Sequence, residues 1–176
     1  HRLTGLENAP NVWAFFFSAI AINDIQQLAA GHEAQIHWTL REVLEKPPAA
    51  PTYEAVSRML IECERLRRIA LDHLDHSPIL LMPACGITAF KHRERRWQLP
   101  EKSIGQFQAM MPLVPFNLLG FPAITVPIGF DESGLPTGVQ LVARPFADEL
   151  LLHAAALLEA ARGPLPAPPL GSLTPP

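Results

Sequence analysis

Cysteine is scarce in this chain, with only Cys63 and Cys85 among 176 residues. Two are too few for a disulfide framework, and they lack the paired spacing of a zinc site. That usage fits a reducing, cytosolic compartment. Long apolar runs are missing as well. The longest, residues 12–22, falls well short of the roughly 20 residues that a membrane helix needs. It also lacks the basic flank and cleavage site of a signal peptide. An excess of charge is absent too: 14 Lys and Arg stand against 17 Asp and Glu, a net charge of −3. Nothing global therefore draws the chain to nucleic acid or to an anionic membrane.

What is present is the composition of a folded domain, 48% hydrophobic and 18% charged, and the length suffices for one sizeable core. Proline is the excess, 19 residues in all. The stretch "GPLPAPPLGSLTPP", residues 163–176, is a low-complexity tail expected to be extended and mobile. The folded part is expected over residues 1–162. The chain starts at His1 without a methionine, as expected of a piece of a longer protein or a processed product.

Along the chain, residues 11–30 read as a helix with Asn11 as a possible N-cap, ended by Gly31. Residues 32–45 carry Ile36, Leu40, Val43 and Leu44 at helical spacing, and "PPAAP", residues 47–51, stops them. Thr52 is a good N-cap for the clearest helix, residues 53–74. Its apolar stripe is Val56, Met59, Leu60, Cys63, Leu66, Ala70 and Leu74. Glu54 with Arg58, and Glu64 with Arg68, would pair at i,i+4 on the other face. Cys63 lies on the stripe and reads as an inert core thiol.

Residues 79–82 form a short apolar run before Pro83, the pattern of a strand buried on both faces. "KHRERRW", residues 91–97, is basic, and residues 103–111 have the makings of a short helix. Residues 123–126 and 139–143 read as strands around the turn residues Asp131, Ser133, Gly134 and Pro136. So few intervening residues cannot hold a helical crossover, so the two are expected to be antiparallel neighbours. Asp148 is expected to cap a last helix that runs to Arg162 and stops at Gly163 and Pro164. Three strands are too few for a sheet so apolar. The sheet is therefore expected to be completed by a segment or partner outside these residues.

The segment "NLLGFPAITVPIGF…GLPTGVQLVARPFADELLLHAAALLE" carries Asn117, Gly120 with Pro122, Val126-Pro127 with Gly129, Gly134 to Pro136, and Gly138 with Gln140 and Leu141. Together these resemble the C-terminal portion of the amidase-signature family. The segment "ILLMPACGITAFKHRERRW" before it resembles that family's buried strand and the loop that follows. The resemblance spans residues 77–162. It implies an α/β fold, with this chain supplying part of a mixed β-sheet flanked by helices, and with that sheet incomplete.

The resemblance also implies hydrolysis of amide C–N bonds by a serine nucleophile, a second serine in a cis peptide, and a lysine, with no metal or organic cofactor. A hydroxyl needs an adjacent base to attack, and backbone N–H donors must face the developing oxyanion. That machinery is missing from these residues. The six serines are scattered and never adjacent, and the three lysines, Lys46, Lys91 and Lys102, sit in charged or proline-rich surroundings. The expectation is a C-terminal segment of an amidase, inactive alone, whose catalytic residues lie outside the chain. Its partners would be a small amide substrate in the whole enzyme, and either the missing N-terminal amidase segment or a second copy through open sheet edges. The alternative is a non-catalytic remnant acting as a binding or interaction module.

Candidate substrate-binding residues are Cys85, Phe116 and Asn117. Cys85 can be structural, can line a pocket after its strand, or, with His92 seven residues on, can be imagined as a nucleophile. Asn117 beside Phe116 can be a pocket-wall residue, or a side chain that satisfies backbone groups at the loop. The cations of residues 91–96 read as a solvated or ion-paired face. His73 and His76 lack a third ligand of suitable spacing for a metal.

Overall fold

A computed structural model describes residues 3–37, 40–41, 44–45 and 49–167. Val43, Lys46, the first prolines of "PPAAP" and the tail from residue 168 lie outside the described residues. The order of elements is α1 (Ala9–Phe15), a π-helical stretch (Phe16–Ala21), α2 (Ile22–Ala29), a 3₁₀ turn (Glu33–Gln35) and α3 (Tyr53–His76). Then come β1 (Ile79–Pro83), β2 (Arg96–Gln98), β3 (Ser103–Gly105), α4 (Gln106–Ala109), α5 (Val114–Leu119), β4 (Ala123–Phe130), β5 (Pro136–Ala143) and α6 (Asp148–Arg162).

The main sheet has the order β1-β5-β4, and both pairings are antiparallel. The β4–β5 hairpin forms as its turn residues dictate. The Asp131 carboxylate accepts the N–H groups of Ser133 and Leu135, both at 2.9 Å, and closes the loop. A bulge between Pro127 and Gly129 interrupts the register. At Gly138 a side chain would crowd β4: a Cβ there would lie 3.2 Å from the Val126 carbonyl oxygen, tighter than ordinary contact.

Helices cover both faces. On one, Val142 packs with Leu66, Ala70 and Leu74 of α3, Val12 of α1, and Phe116 and Leu119 of α5. On the other, Leu151 and Ala155 of α6 lie over Val126, Leu141 and Ala143. Gly120 ends α5 in the left-handed region at φ 68°, which a residue without a Cβ adopts at no steric cost.

Several expectations change at this level. The first helix starts at Ala9, two residues before Asn11, and its middle turns are π-helical. Asn11 instead donates through Nδ2 to the Asn8 side chain at 2.9 Å. Thr52 does cap α3, accepting the Ala55 N–H at 3.2 Å, and α3 extends to His76. Leu60, expected in the stripe, is half exposed. The ion pairs on α3 are Glu62–Arg65 and Glu64–Arg67 at i,i+3, not the i,i+4 pairs expected. The N-cap of α6 is Ala147, not Asp148, which lies in the first turn, where its charge complements the helix N-terminus without a capping bond. The β1 run is not buried on both faces in this chain, because β1 is an edge strand and Leu81 is 63% exposed. Residues 103–111 form strand β3 before the short helix α4.

Candidate functional site

A groove opens where β1 runs out. Past Pro83, Ala84 still donates to the Gly138 carbonyl at 3.4 Å. The chain then swings across to α4. The N–H of Gly86 donates to the Ala109 carbonyl at 2.7 Å, and the Cys85 thiol donates to the same oxygen at 3.3 Å. A Cβ on Gly86 would stand 3.1 Å from that oxygen, so the segment lies flush against α4. Between residues 83–89 and Pro136, Thr137 and Gly138 of β5 lies an open cavity of about 390 Å³.

Cys85 is exposed at this groove. Its thiol partner is a backbone carbonyl, not His92, so the Cys-His arrangement does not form. Phe116 is elsewhere, buried in the core with its ring 6.4 Å from that of Phe121. Asn117 is exposed on α5. Its backbone N–H bonds to Leu113, and among the described residues its side chain satisfies no loop backbone group. The three candidates thus split between groove, core and surface.

The basic residues 91–96 are all exposed. The Arg96 side chain donates to Ser103 Oγ at 3.3 Å across the β2–β3 hairpin, and the Glu94 carboxylate accepts the Lys91 N–H at 3.1 Å. His76 Nδ1 lies 2.9 Å from the Asp72 carbonyl, one turn back in α3.

A second, apolar cavity of about 250 Å³ has no counterpart among the sequence-predicted sites. Trp13, Phe17 and Phe107 pack their rings at 4.9 to 5.9 Å, and line it with Pro10, Ile22 and Met111. The apolar run of residues 12–22 was legible, but the meeting of its rings with Phe107 depends on how α4 docks, which no local pattern encodes.

Electrostatically, the firmest group is Glu62. Hydrogen bonds from Arg65 and then from Asn8 hold its carboxyl down from the ordinary 4.5 to about 2. The Asn8 contact, at 2.8 Å, ties the loop ahead of α1 to α3.

A helix-backed antiparallel sheet with a groove at the proline-terminated end of one strand defines an α/β scaffold class. Within it, the family model "Amidase" matches residues 42–152. This chain belongs to the amidase family. It is 30% identical over 118 residues to a fatty acid amide hydrolase of Medicago truncatula, a match covering 61% of this chain and 18% of that protein. It is 36% identical over 87 residues to a glutamyl-tRNA(Gln) amidotransferase subunit from Bartonella bacilliformis, covering 49% and 16%. A crystal structure of an amidase superposes with a TM-score of 0.77 at 26% identity, covering 90% of this chain and 36% of that one. The chain thus matches less than a fifth of the length of these two curated relatives. No helix among the described residues is long and apolar enough to cross a membrane.

Proposed function

We propose that this chain supplies the hairpin, the groove and part of the supporting core of an amidase-family hydrolase that cleaves amide C–N bonds. The attacking serine, the second serine and the lysine come from outside these residues. The observation that carries this reading is the pairing of a family match over residues 42–152 with a sequence in which no two serines are adjacent. In the assembled enzyme the groove beside Cys85 faces the substrate, and the Cys85 side chain bounds it. Phe116 acts from the core by fixing α5, which carries Asn117 on its exposed side toward the remainder of the fold. The substrate is an amide, and attack at its carbonyl requires no metal or organic cofactor.

The test is a chimera in which residues 77–162 replace the aligned segment of the superposed amidase. Amide turnover by the folded chimera is expected, with Cys85→Trp raising KM while leaving the melting temperature unchanged. A folded chimera without turnover would overturn the scaffold reading.

A further inference from the structure

The loop that walls one side of the groove runs on into a basic stretch. The groove itself carries no charged side chain: its walls are residues 83–89 on one side and Pro136, Thr137 and Gly138 on the other. Lys91 stands two residues past the lining Ala89, at most about 7 Å along the chain. From Lys91 to Arg96 four cations surround the single carboxylate of Glu94, and all of these residues are exposed. The loop is closed at its base, where the rings of Phe90 and Trp97 meet edge to face at 4.8 Å. Inside it the chain turns tightly, the Glu94 N–H donating to the Lys91 carbonyl at 3.1 Å. Such a turn holds its end residues within about 7 Å of each other, so Arg93, inside it, stays close to Lys91.

Two features set these cations apart from an ordinary solvated face. The acid within the loop is occupied, since the Glu94 carboxylate accepts the Lys91 backbone N–H at 3.1 Å. Among the described residues no carboxylate forms an ion pair with the side chain of Lys91 or Arg93. Arg93, moreover, stands at φ 66°, in the left-handed region that glycine or asparagine occupies at lower cost. Strained positions of this kind cluster at ligand clamps and active sites. The opposite wall has the other sign. The turn that leads to Pro136 carries Asp131 and Glu132, and the N–H groups of Ser133 and Leu135 hold the Asp131 carboxylate. An anion entering the groove is therefore drawn to its loop end.

We infer that Lys91 and Arg93 are specificity residues of the groove, and that its substrate is an amide carrying a carboxylate, which these two cations hold while the amide lies against residues 85–89. The inference rests on the reading under Proposed function and adds the charge of the substrate to it. A guanidinium presents paired N–H donors that match the two oxygens of a carboxylate, and an ammonium on its flexible stem adds a point charge that demands no single geometry. An uncharged amide leaves both cations to water and gains nothing from them. The cavity, about 390 Å³, lies at the small end of ligand pockets, so a short molecule reaches from the groove to the loop.

The experiment is a residue-resolved NMR titration of the full 176-residue chain with succinamate, an amide bearing a carboxylate, and with butanamide, its uncharged counterpart of equal length. Acetate supplies the carboxylate alone. Succinamate is expected to shift the amide signals of residues 86–89 and 91–93 together, and to bind at least about fivefold more tightly than butanamide, the gain of one good exposed ion pair. The preference fades in about 1 M salt, where the screening length falls to about 3 Å. Lys91→Gln and Arg93→Gly each reduce it, and Arg93→Gly, relieved of the left-handed strain, melts no lower than the wild type. Lys102→Gln removes the same charge from the far end of the β2–β3 hairpin and leaves the preference intact. The inference is overturned if succinamate does not bind, if the two amides bind equally, or if Lys102→Gln weakens succinamate as much as Lys91→Gln does. Equal binding of both amides in the groove leaves the hydrolase reading standing. Acetate that binds at residues 91–93 as tightly as succinamate, with residues 86–89 unshifted under either, does the reverse: the cations recognise anions, and the groove does not hold the amide.

Discussion

Gly138 and Glu62 show how much single positions settle here. The Cβ of Gly138→Ala would press on the Val126 carbonyl at 3.2 Å, and that oxygen is held in the ladder and has little room to yield. Overpacking of this kind costs about 1–3 kcal/mol, so urea unfolding of Gly138→Ala should show a lower midpoint at unchanged slope. Glu62 acts through pH. Its carboxyl is depressed in the folded state, from 4.5 to about 2, by Arg65 and then Asn8. A depressed carboxyl contributes stability that is full above its unfolded value and is lost as the pH falls through the folded one. The loss should therefore run from about pH 4.5 down to about pH 2. Glu62→Gln should flatten that part of the acid limb, measured by thermal melts across the range. The pairing itself was not legible. Charge spacing on α3 pointed to i,i+4 partners, but Asn8, 54 positions away, fixes one oxygen of Glu62 and Arg65 takes the carboxylate one turn on.

Among the elements, α3 and the β4–β5 hairpin carry the fold, and both were readable because their signals are local. Thr52 caps α3 as its residue type predicts, and Thr52→Ala should cost about 0.5–2 kcal/mol. Leu66, fully buried on the same helix, should cost about 2–5 kcal/mol as Leu66→Ala. The ratio of the two losses, from denaturant unfolding, checks that packing outweighs capping in holding α3. Elements whose local pattern is short or apolar all round were misread. β2 and β3 pair only three residues each, within a basic stretch and a would-be helix. The π-helical turns at Phe16–Ala21 arise in a segment apolar all round, where periodicity has nothing to distinguish. Of the candidate site, Cys85 stands just past the end of β1, where the apolar run before Pro83 puts it. Phe116 and Asn117, neighbours in sequence, lie on different sides of α5, one buried and one exposed, which only the docking of that helix decides.

At the scale of the whole molecule, the chain is a sheet with helices on both faces, one groove at the end of β1 and an edge that nothing among the described residues covers. Its surface carries Leu81, Phe90, Phe107, Ile128, Phe130 and Phe146 in exposed positions, several of them around the sheet and the groove. These features fit the proposal that this chain supplies scaffold to an amidase fold whose reacting groups belong to other residues. The measurement that tests this most directly is amide hydrolysis by the purified 176-residue chain over a panel of aryl and alkyl amides, with Cys85→Ala alongside. The expected result is no turnover by either protein. Turnover by the wild-type chain would contradict the scaffold reading, and its loss in Cys85→Ala would move the chemistry to the groove thiol.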